Sequence, residues 1–293
     1  MRVYSRPDLA GLSTLRLGGT GRALYLVEST ADLREIFGPE KGKDTKIMFM
    51  GEGSNILFTP EAEELVLVKW AGTSSISVHE QRCKEVVVAA DAGVRLPRLI
   101  GWCAENGLSG LEPLAGIPGS VGGAVAMNAG AHGVETGDLL TSVRVWTAEC
   151  GEMDIQAAEL SPKYREMGFP CPGSPVVVKA WFALRRTGAE QVKKAVRKWF
   201  VRKKSVQPVL KRTAGCVFKN PGPKTAGRIL DELGFRGMRL GGVGFSRMHA
   251  NFLVHEGGGT SEQALELIRK SRDAAWQKKG IRLETEIRII PCP

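Results

Sequence analysis

A glycine-rich segment at residues 107–133 gives the first indication of chemistry in this chain. Apart from Glu112 it carries no acidic or basic side chain other than a histidine, and its glycines are Gly107, Gly110, Gly116, Gly119, Gly122, Gly123, Gly130 and Gly133. Glycine lets backbone approach a ligand closely and adopt positive φ angles. A neutral, glycine-rich surface suits a large planar or phosphate-bearing ligand, and a buried crossover without a ligand is the alternative.

A second glycine turn, Gly51-Glu52-Gly53-Ser54-Asn55, follows an apolar run. Successive N–H groups in such a turn can form a concave nest for a phosphate. The turn is not a dinucleotide-binding G-x-G-x-x-G fingerprint, because the third glycine and the following helix are missing. A plain tight turn explains it equally well, and the same holds for residues 14–19 (TLRLGG).

Composition places the chain among globular proteins with room for two domains or one elaborate one. It has 293 residues, of which 43% are hydrophobic and 25% charged. No run approaches the roughly 20 apolar residues that a membrane span needs. Residues 1–7 lack the apolar core of a secretion signal, so we expect a cytoplasmic protein.

The cysteines argue against a metal site. They are scattered without a C-x-x-C pair, at Cys83, Cys103, Cys150, Cys171, Cys216 and Cys292. Their spacing predicts neither a zinc site nor a disulfide framework, and we expect reduced thiols and no bound metal.

The net charge of +10 is compatible with nucleic acid or with a small anionic substrate drawn into a positive cleft. The densest basic stretch, 193–204, is interleaved with apolar residues at helical spacing: Val192, Ala195, Val196, Trp199 and Phe200. This pattern predicts a helix with one buried face. A solvated basic helix face is the simpler interpretation of the charge.

Periodicity and capping signals predict the elements that position these groups. We expect helices at 30–37, 97–106, 190–204 and 226–233, and one opened by a Thr260–Gln263 capping box that buries Ala264, Leu265, Ile268, Ala275 and Trp276. Strands are expected at 22–28, 46–50, 65–70, 84–90, 142–147, 176–184, 251–255 and 284–290. In the last strand, Glu284, Glu286 and Arg288 would share one face.

Taken together, the motifs resemble the UDP-N-acetylenolpyruvoylglucosamine reductases, the MurB family of bacterial peptidoglycan synthesis. The resemblance spans about residues 12–290 and rests on TLRLGG, GEGSN, the glycine-rich segment, KYR (163–165), AGCVFKNP (214–221), HANF (249–252) and ETEIRII (284–290). It implies an α+β, FAD-binding fold of the vanillyl-alcohol oxidase type with two subdomains, 1–70 and 71–188. An α+β substrate-binding domain would follow at 189–293, its final strand returning Glu286 to the active site.

The resemblance also implies which residues hold non-covalent FAD. The pyrophosphate would lie against Gly51, Gly53, Ser54 and Asn55. The isoalloxazine and ribityl groups would lie against Ile117, Pro118, Gly119, Gly122, Gly123, Asn128 and Gly130.

Three further residues would carry the reaction by the same resemblance. Arg165 would hold the substrate carboxylate, Glu286 would stabilise charge there, and Cys216 would donate a proton where many members have serine. A thiol is a far stronger acid than an alcohol, so the role survives the replacement. The substrate's other groups would meet Tyr164, Lys204, Lys219 and Asn220, with Arg202 near Lys204.

The implied activity is NADPH-dependent reduction of UDP-N-acetylenolpyruvoylglucosamine to UDP-N-acetylmuramate. The short segment between Arg165 and Cys216 is similar to the branch of the family that lacks an extra substrate-covering loop. We expect a monomer or weak oligomer without nucleic-acid or membrane partners.

Two rival hypotheses remain at this stage. One is a flavin oxidase of the same fold group acting on an alcohol or sugar, although no motif marks His79 or Cys83 as a covalent attachment point. The other is a basic nucleotide- or RNA-binding protein, although 6% aromatic residues provide no evident stacking platform.

Overall fold

The computed structural model describes residues 1–37 and 46–291. The helices in these residues are α1 (Thr30–Ile36), α2 (Leu96–Glu105), α3 (Val121–Ala126), α4 (Ala189–Val206), α5 (Ala226–Glu232) and α6 (Ser261–Lys279). None of them is both long and apolar enough to cross a bilayer.

The strands of the described residues occur mostly in runs between these helices. They are β1 (Arg2–Ser5), β2 (Ala23–Val27), β3 (Ile47–Met50), β4 (Ile56–Phe58), β5 (Val66–Trp70), β6 (Ile76–Gln81), β7 (Glu85–Asp91), β8 (Leu108–Ser109), β9 (Gly130–Ala131), β10 (Val134–Glu135), β11 (Leu140–Thr147), β12 (Gly151–Gln156), β13 (Val176–Arg186), β14 (Arg239–Leu240), β15 (Val243–Phe245), β16 (Leu253–His255) and β17 (Arg288–Ile290). The predicted mixed α+β class is confirmed.

The chain forms two compact units. The first comprises Met1–Val3, Tyr25–Gly51 and Val68–Arg202. The second comprises Tyr4–Leu24, Glu52–Leu67 and Lys203–Pro293. The expected division into two FAD-binding subdomains and a substrate-binding domain, with boundaries at residues 70 and 188, describes functional parts of the chain. It stays a prediction.

The first unit is built on an antiparallel sheet in the order β12-β11-β13-β7-β6, with β8 also paired to β13. Along β13, Ala180, Phe182 and Leu184 are buried at alternate positions, as in a strand with one covered face. Val177 is also buried, beyond an irregularity in the pairing of β13 with β11. Helix α2, opened by Pro97 in its first turn, buries Leu96, Leu99, Ile100 and Cys103 in the same core.

The glycine-rich segment contains a helix that its composition did not predict. Ser120 caps α3 by accepting a hydrogen bond from the Gly123 N–H at 3.3 Å. Two glycines are unfavourable inside a helix, so α3 owes its formation to this cap and to the burial of Val121 and Val125.

The second unit has its own apolar core around α5 and α6. Strand β4 pairs in parallel with β17, and β14-β15-β16 form a small antiparallel sheet. The predicted Thr260–Gln263 capping box is confirmed, with each backbone N–H bonded to the other residue's side chain.

Some predicted faces are wrong. Phe200 on α4 is exposed, and Trp276 on α6 is 51% exposed with the Arg282 guanidinium over its ring. The last strand begins at Arg288 rather than Glu284. The N–H groups of Glu286 and Ile287 both point to the Val217 carbonyl, so the regular strand does not extend back through Glu286. The common face of Glu284, Glu286 and Arg288 stays a prediction.

A buried carboxylate, Asp91, closes the end of β7. It accepts hydrogen bonds from the Thr73 hydroxyl (2.8 Å) and from the Ser75 N–H (2.9 Å) and hydroxyl (2.7 Å), and it pairs with Lys179 at 3.0 Å. Burial alone would raise the pKa of Asp91, but the bonds from Ser75, Lys179 and Thr73 together hold it below its ordinary value.

We expect Asp91→Asn to lower the free energy of unfolding by about 1–3 kcal/mol at neutral pH, because it removes a hydrogen-bonded buried charge. The lowered pKa stabilises the fold fully above about pH 4, the ordinary carboxyl value, and this contribution is lost as the pH falls further. Urea titrations of both proteins between pH 7 and 3 measure the difference.

Asp154→Asn is the matched control, since Asp154 pairs with Arg144 at 2.6 Å but its side chain is 47% exposed. It should lose less than about 1 kcal/mol. An Asp91→Asn loss no larger than that of the control would contradict the assignment.

Candidate functional site

Helix α3 presents a face of small residues. Gly122 and Gly123 are half-buried and Ala126 is exposed, whereas Val121 and Val125 point into the core. Along the same segment Pro118 is exposed and Ile117 half-buried, and Gly119 has a φ of +120°. A surface of small and apolar residues therefore lies on the segment predicted to contact the flavin ring, and that contact stays a prediction.

Two of the predicted cofactor glycines also have a packing reason. A Cβ on Gly51 would lie 2.5 Å from the Ser120 Oγ, and one on Gly122 would lie 2.9 Å from the Ala92 Cβ. The Gly122 N–H is already bonded to the Ala92 carbonyl at 3.0 Å. The absence of side chains at these glycines lets α3 pack closely against its neighbours in the first unit, whether or not a ligand contacts them.

Asn128 and Gly130 lie immediately beyond α3. Asn128 is fully buried with a φ of +41°. Gly130 is half-buried opposite Glu135, whose Cγ would be 2.8 Å from a Cβ at position 130. Their predicted contacts with FAD are untested.

Arg165 sits in a tight turn of the first unit. The Lys163 and Glu166 backbones exchange hydrogen bonds of 2.8 and 3.1 Å across the turn. Arg165 has a φ of +63°, unusual for a residue with a side chain, and its guanidinium stacks 4.7 Å from the centre of the Tyr164 ring. Tyr164 is 46% exposed, so the turn offers a cation and an aromatic ring at the surface of this unit.

In the second unit the GEGSN turn is held close to the TLRLGG segment. Gly53 has a φ of +65°, and its carbonyl accepts a hydrogen bond from the Thr14 N–H at 3.1 Å. A Cβ on Gly53 would lie 2.1 Å from the Leu12 carbonyl oxygen. Only glycine fits this conformation and this approach. Ser54 and Asn55 are half-buried beside it.

The loop that carries Cys216 is fixed by Asn251. The Asn251 side chain accepts a hydrogen bond from the Phe218 N–H at 2.9 Å and donates one to the Phe218 carbonyl at 2.8 Å. The backbone carbonyl of Asn251 accepts a hydrogen bond from the Val217 N–H. Val217 and Phe218 are buried, whereas Cys216 is half-buried and forms no disulfide. The sequence carried this information in the HANF motif, but no role was assigned to its asparagine.

Glu286 lies beside this loop. Its N–H bonds to the Val217 carbonyl at 2.7 Å, and its own carbonyl accepts from the Asn55 side chain at 3.1 Å. The second unit thus brings together three stretches that are far apart in sequence: the GEGSN turn, the Cys216 loop and the segment of Glu286.

The residues predicted to bind the substrate lie in different parts of the chain and have different partners. Lys219 pairs with Glu284 at 3.4 Å, and the Asn220 side chain accepts from the Ala226 N–H at the start of α5. Lys204 is exposed near the end of α4, in the second unit, whereas Arg202 belongs to the first. Their contacts with a substrate stay predictions.

The other thiols range from exposed to buried, and Cys171 is half-buried like Cys216. Burial raises the pKa of Cys103 to about 12, which makes it a poor proton donor. Cys83 is exposed, and Cys292 lies outside the described residues. Within residues 1–37 and 46–291 no three His, Cys, Asp or Glu side chains are grouped in a way that could hold a metal ion.

Comparison with known proteins decides the family. Residues 22–153 match an FAD-binding domain, and residues 207–290 match the C-terminal domain of UDP-N-acetylenolpyruvoylglucosamine reductase. The reductase of Nitratidesulfovibrio vulgaris is 42% identical over 292 residues, 99% of each chain. The chain belongs to the MurB family. The reductase of Aquifex aeolicus is 35% identical over 99% of this chain and 96% of its own.

A solved MurB structure agrees with this assignment. The enzyme from Thermus caldophilus superposes with a TM-score of 0.85 at 32% identity, over 99% of this chain and all of that one. The predicted FAD-binding α+β fold is confirmed, and the protein is a flavoenzyme of the MurB family. The comparisons support neither rival hypothesis.

We expect Gly53→Ala to destabilise the protein more than Gly234→Ala. Both positions have positive φ, but a Cβ on Gly234 meets no atom within 4 Å. The control should lose about 1–2 kcal/mol from the left-handed conformation alone. Gly53→Ala should lose about 1–3 kcal/mol more, because the Leu12 backbone must move. Chemical unfolding measures both, and equal losses would refute the close approach.

Proposed function

We propose that this chain reduces the enolpyruvyl ether of UDP-N-acetylglucosamine to UDP-N-acetylmuramate, a peptidoglycan precursor, at the expense of NADPH. The observation that carries the proposal is the full-length similarity to relatives named for this reductase activity. The presence of Arg165, Cys216 and Glu286 in the matching motifs supports it.

The residues of the first unit fit an FAD ring. A flat aromatic ring system needs an apolar surface without projecting side chains, and the face of α3 is made of Gly122, Gly123 and Ala126. In the second unit, the positive φ of Gly53 bends the GEGSN backbone as a phosphate nest requires. When bound, non-covalent FAD supplies the hydride chemistry between NADPH and the enol ether.

Arg165 is proposed to hold the substrate carboxylate. Its planar guanidinium can bind both carboxylate oxygens, and stacking on Tyr164 limits its rotation. When hydride adds to the methylene carbon, negative charge spreads onto this carboxylate. A cation already fixed there stabilises that charge without reorganising, and Glu286, if protonated, would add a hydrogen bond.

Cys216 is proposed as the general acid. After hydride addition to the methylene carbon, the neighbouring carbon takes the thiol proton and becomes the saturated centre of the lactyl ether. The thiolate left behind is reprotonated from solvent. The hydrogen bonds between Asn251 and Phe218 restrict the loop, which supports a fixed donor rather than a mobile one.

The basic residues are proposed to bind the anionic end of the substrate. Lys204, Lys219 and Arg202 carry positive charge suited to a nucleotide diphosphate, and Asn220 follows Lys219 in sequence. The functional division at 1–70, 71–188 and 189–293, the cytoplasmic location and the monomeric or weakly oligomeric state belong to the same proposal.

The direct test is spectroscopic and enzymatic. Purified protein should show the visible absorption of oxidised flavin, and acid precipitation should leave the flavin in the supernatant. UDP-N-acetylenolpyruvoylglucosamine should then drive NADPH oxidation, followed at 340 nm (the NADPH band), with UDP-N-acetylmuramate as product. A yellow protein that does not react with this substrate would refute the proposed activity, but it would not contradict the assignment as a flavoprotein.

Replacement of the proposed acid separates the two half-reactions. We expect Cys216→Ala to leave flavin reduction by NADPH nearly unchanged and to slow reoxidation by substrate by about 10²–10⁴-fold, the usual contribution of a general acid. Cys216→Ser should retain substantial activity. Stopped-flow spectroscopy measures each half-reaction.

Cys83→Ala is the matched control, since Cys83 is an exposed thiol. It should behave as wild type in both half-reactions. Normal reoxidation in Cys216→Ala would remove Cys216 from the mechanism.

A further inference from the structure

Asn128 occupies a position where the end of α3 needs a special conformation. Its φ is +41°, which asparagine tolerates better than other residues with side chains. The Asn128 N–H bonds to the Val125 carbonyl at 3.0 Å, and the next N–H, of Ala129, turns back to Ala124 at 2.8 Å. The side chain is therefore directed away from the helix end by a fixed backbone.

The carboxamide of Asn128 joins three segments of the first unit. Its Nδ2 donates to the Glu135 carboxylate at 2.6 Å and to the Lys163 carbonyl at 3.1 Å, and its Oδ1 accepts from the Gly137 N–H at 2.9 Å. Both N–H donors are thus used, and the residue is fully buried. Such a group is costly unless it is paired, so these partners fix its orientation.

Neighbouring glycines make room for this network. Gly130 faces Glu135 across the β9–β10 hairpin, and a Cβ there would lie 2.8 Å from the Glu135 Cγ. A Cβ on Gly137 would lie 3.0 Å from the Asn128 Oδ1 and 3.2 Å from Pro162. Both glycines therefore serve the contact between Asn128 and the segment that leads into Lys163.

Lys163 opens the turn that carries Arg165. Its carbonyl accepts from the Glu166 N–H at 3.1 Å and also from Asn128. The turn holds Arg165 at a φ of +63°, an unfavourable conformation that persists only when its surroundings enforce it. The bond from Asn128 anchors this turn to the end of α3.

We propose that Asn128, held by Glu135, is a positioning residue for Arg165. This rests on the proposed function, which gives Arg165 the substrate carboxylate. Because α3 carries the small-residue face assigned to the flavin, one buried carboxamide fixes the distance between that face and the carboxylate-binding turn. Asn128 thereby acts on the substrate through Arg165, without touching it.

The test uses the flavin-loaded protein with Asn128→Ala, Arg165→Ala and the two combined. Asn128→Ala should slow reoxidation by substrate roughly tenfold to a hundredfold, because a misplaced group loses most of its effect. Because Asn128 is also predicted to contact FAD, flavin content and reduction by NADPH are measured in the same variant, and a loss of either as large as the loss of reoxidation would overturn the positioning role. If Asn128 acts through Arg165, the combined variant should be no slower than Arg165→Ala alone.

A second pair of substitutions separates positioning from folding. Asn128→Asp combined with Glu135→Gln swaps donor and acceptor, so the introduced carboxylate accepts from the introduced amide and from Gly137, while the Lys163 carbonyl loses its side-chain donor. We expect a folded protein that is less stable than wild type, because the Lys163 carbonyl now faces a carboxylate oxygen instead of an N–H donor, and reoxidation as slow as in Asn128→Ala. Glu135→Gln alone keeps an acceptor for Asn128 and should reoxidise at nearly the normal rate.

Ser271→Ala is the control for a general loss of stability. Ser271 is fully buried on α6, and its hydroxyl donates to the Ile268 carbonyl at 2.8 Å. This variant should leave reoxidation unchanged, with or without Arg165→Ala.

Two results have different meanings. Normal reoxidation in Arg165→Ala would refute the proposed role of Arg165, and the positioning role would fall with it. Slow reoxidation in Arg165→Ala, with either normal rates in Asn128→Ala or a further slowing in the combined variant, would overturn the positioning role alone.

Discussion

The backbone beside Cys216 is fixed by a buried carboxamide. Asn251 bonds to both the N–H and the carbonyl of Phe218, as a neighbouring strand would, and it does so within an apolar core. The Val217 carbonyl is left to receive the N–H of Glu286, whose own carbonyl binds Asn55. The thiol, the carboxylate and the glycine turn of the second unit therefore depend on one asparagine that need not meet the substrate.

The first unit uses the same device at another place. Asn128 also saturates its carboxamide with backbone and side-chain partners, and it too supports a segment that would be irregular without it. In a low-dielectric interior an unpaired amide is strongly unfavourable, so each asparagine permits essentially one arrangement of its neighbours. Fixed loops follow from this pairing, although neither loop belongs to a regular sheet.

Sequence reasoning reached the elements whose signals are local. The alternation of β13 and the capping box of α6 depend on neighbouring residues, and both are found where they were expected. The motifs also identified the family. By contrast, the bend at Glu286 depends on hydrogen bonds to Val217, about seventy residues earlier, so a strand pattern alone could not predict where the last strand begins.

The glycine-rich segment shows a further limit. Its composition concealed α3, because glycine lowers helix propensity and only the cap and the tertiary packing restore it. Gly119, Gly122, Gly123 and Gly130 of this segment were interpreted as ligand contacts, yet Gly122 and Gly130 also face neighbouring atoms of the protein. The exposure of Phe200 and Trp276 could not be predicted from neighbouring residues. Helical spacing predicts which residues share a face of the helix, but not which other elements cover that face.

The division of the chain has a consequence for biosynthesis. The polypeptide passes from one unit to the other after Val3, Leu24, Gly51, Leu67 and Arg202, so neither unit is a continuous stretch. The first unit has all its residues once translation passes Arg202, whereas β4 must wait for β17, at residues 288–290, to emerge from the ribosome. The nascent second unit therefore carries an unpaired strand until residues 288–290 have been synthesised, and no single cut of the gene would release either unit intact.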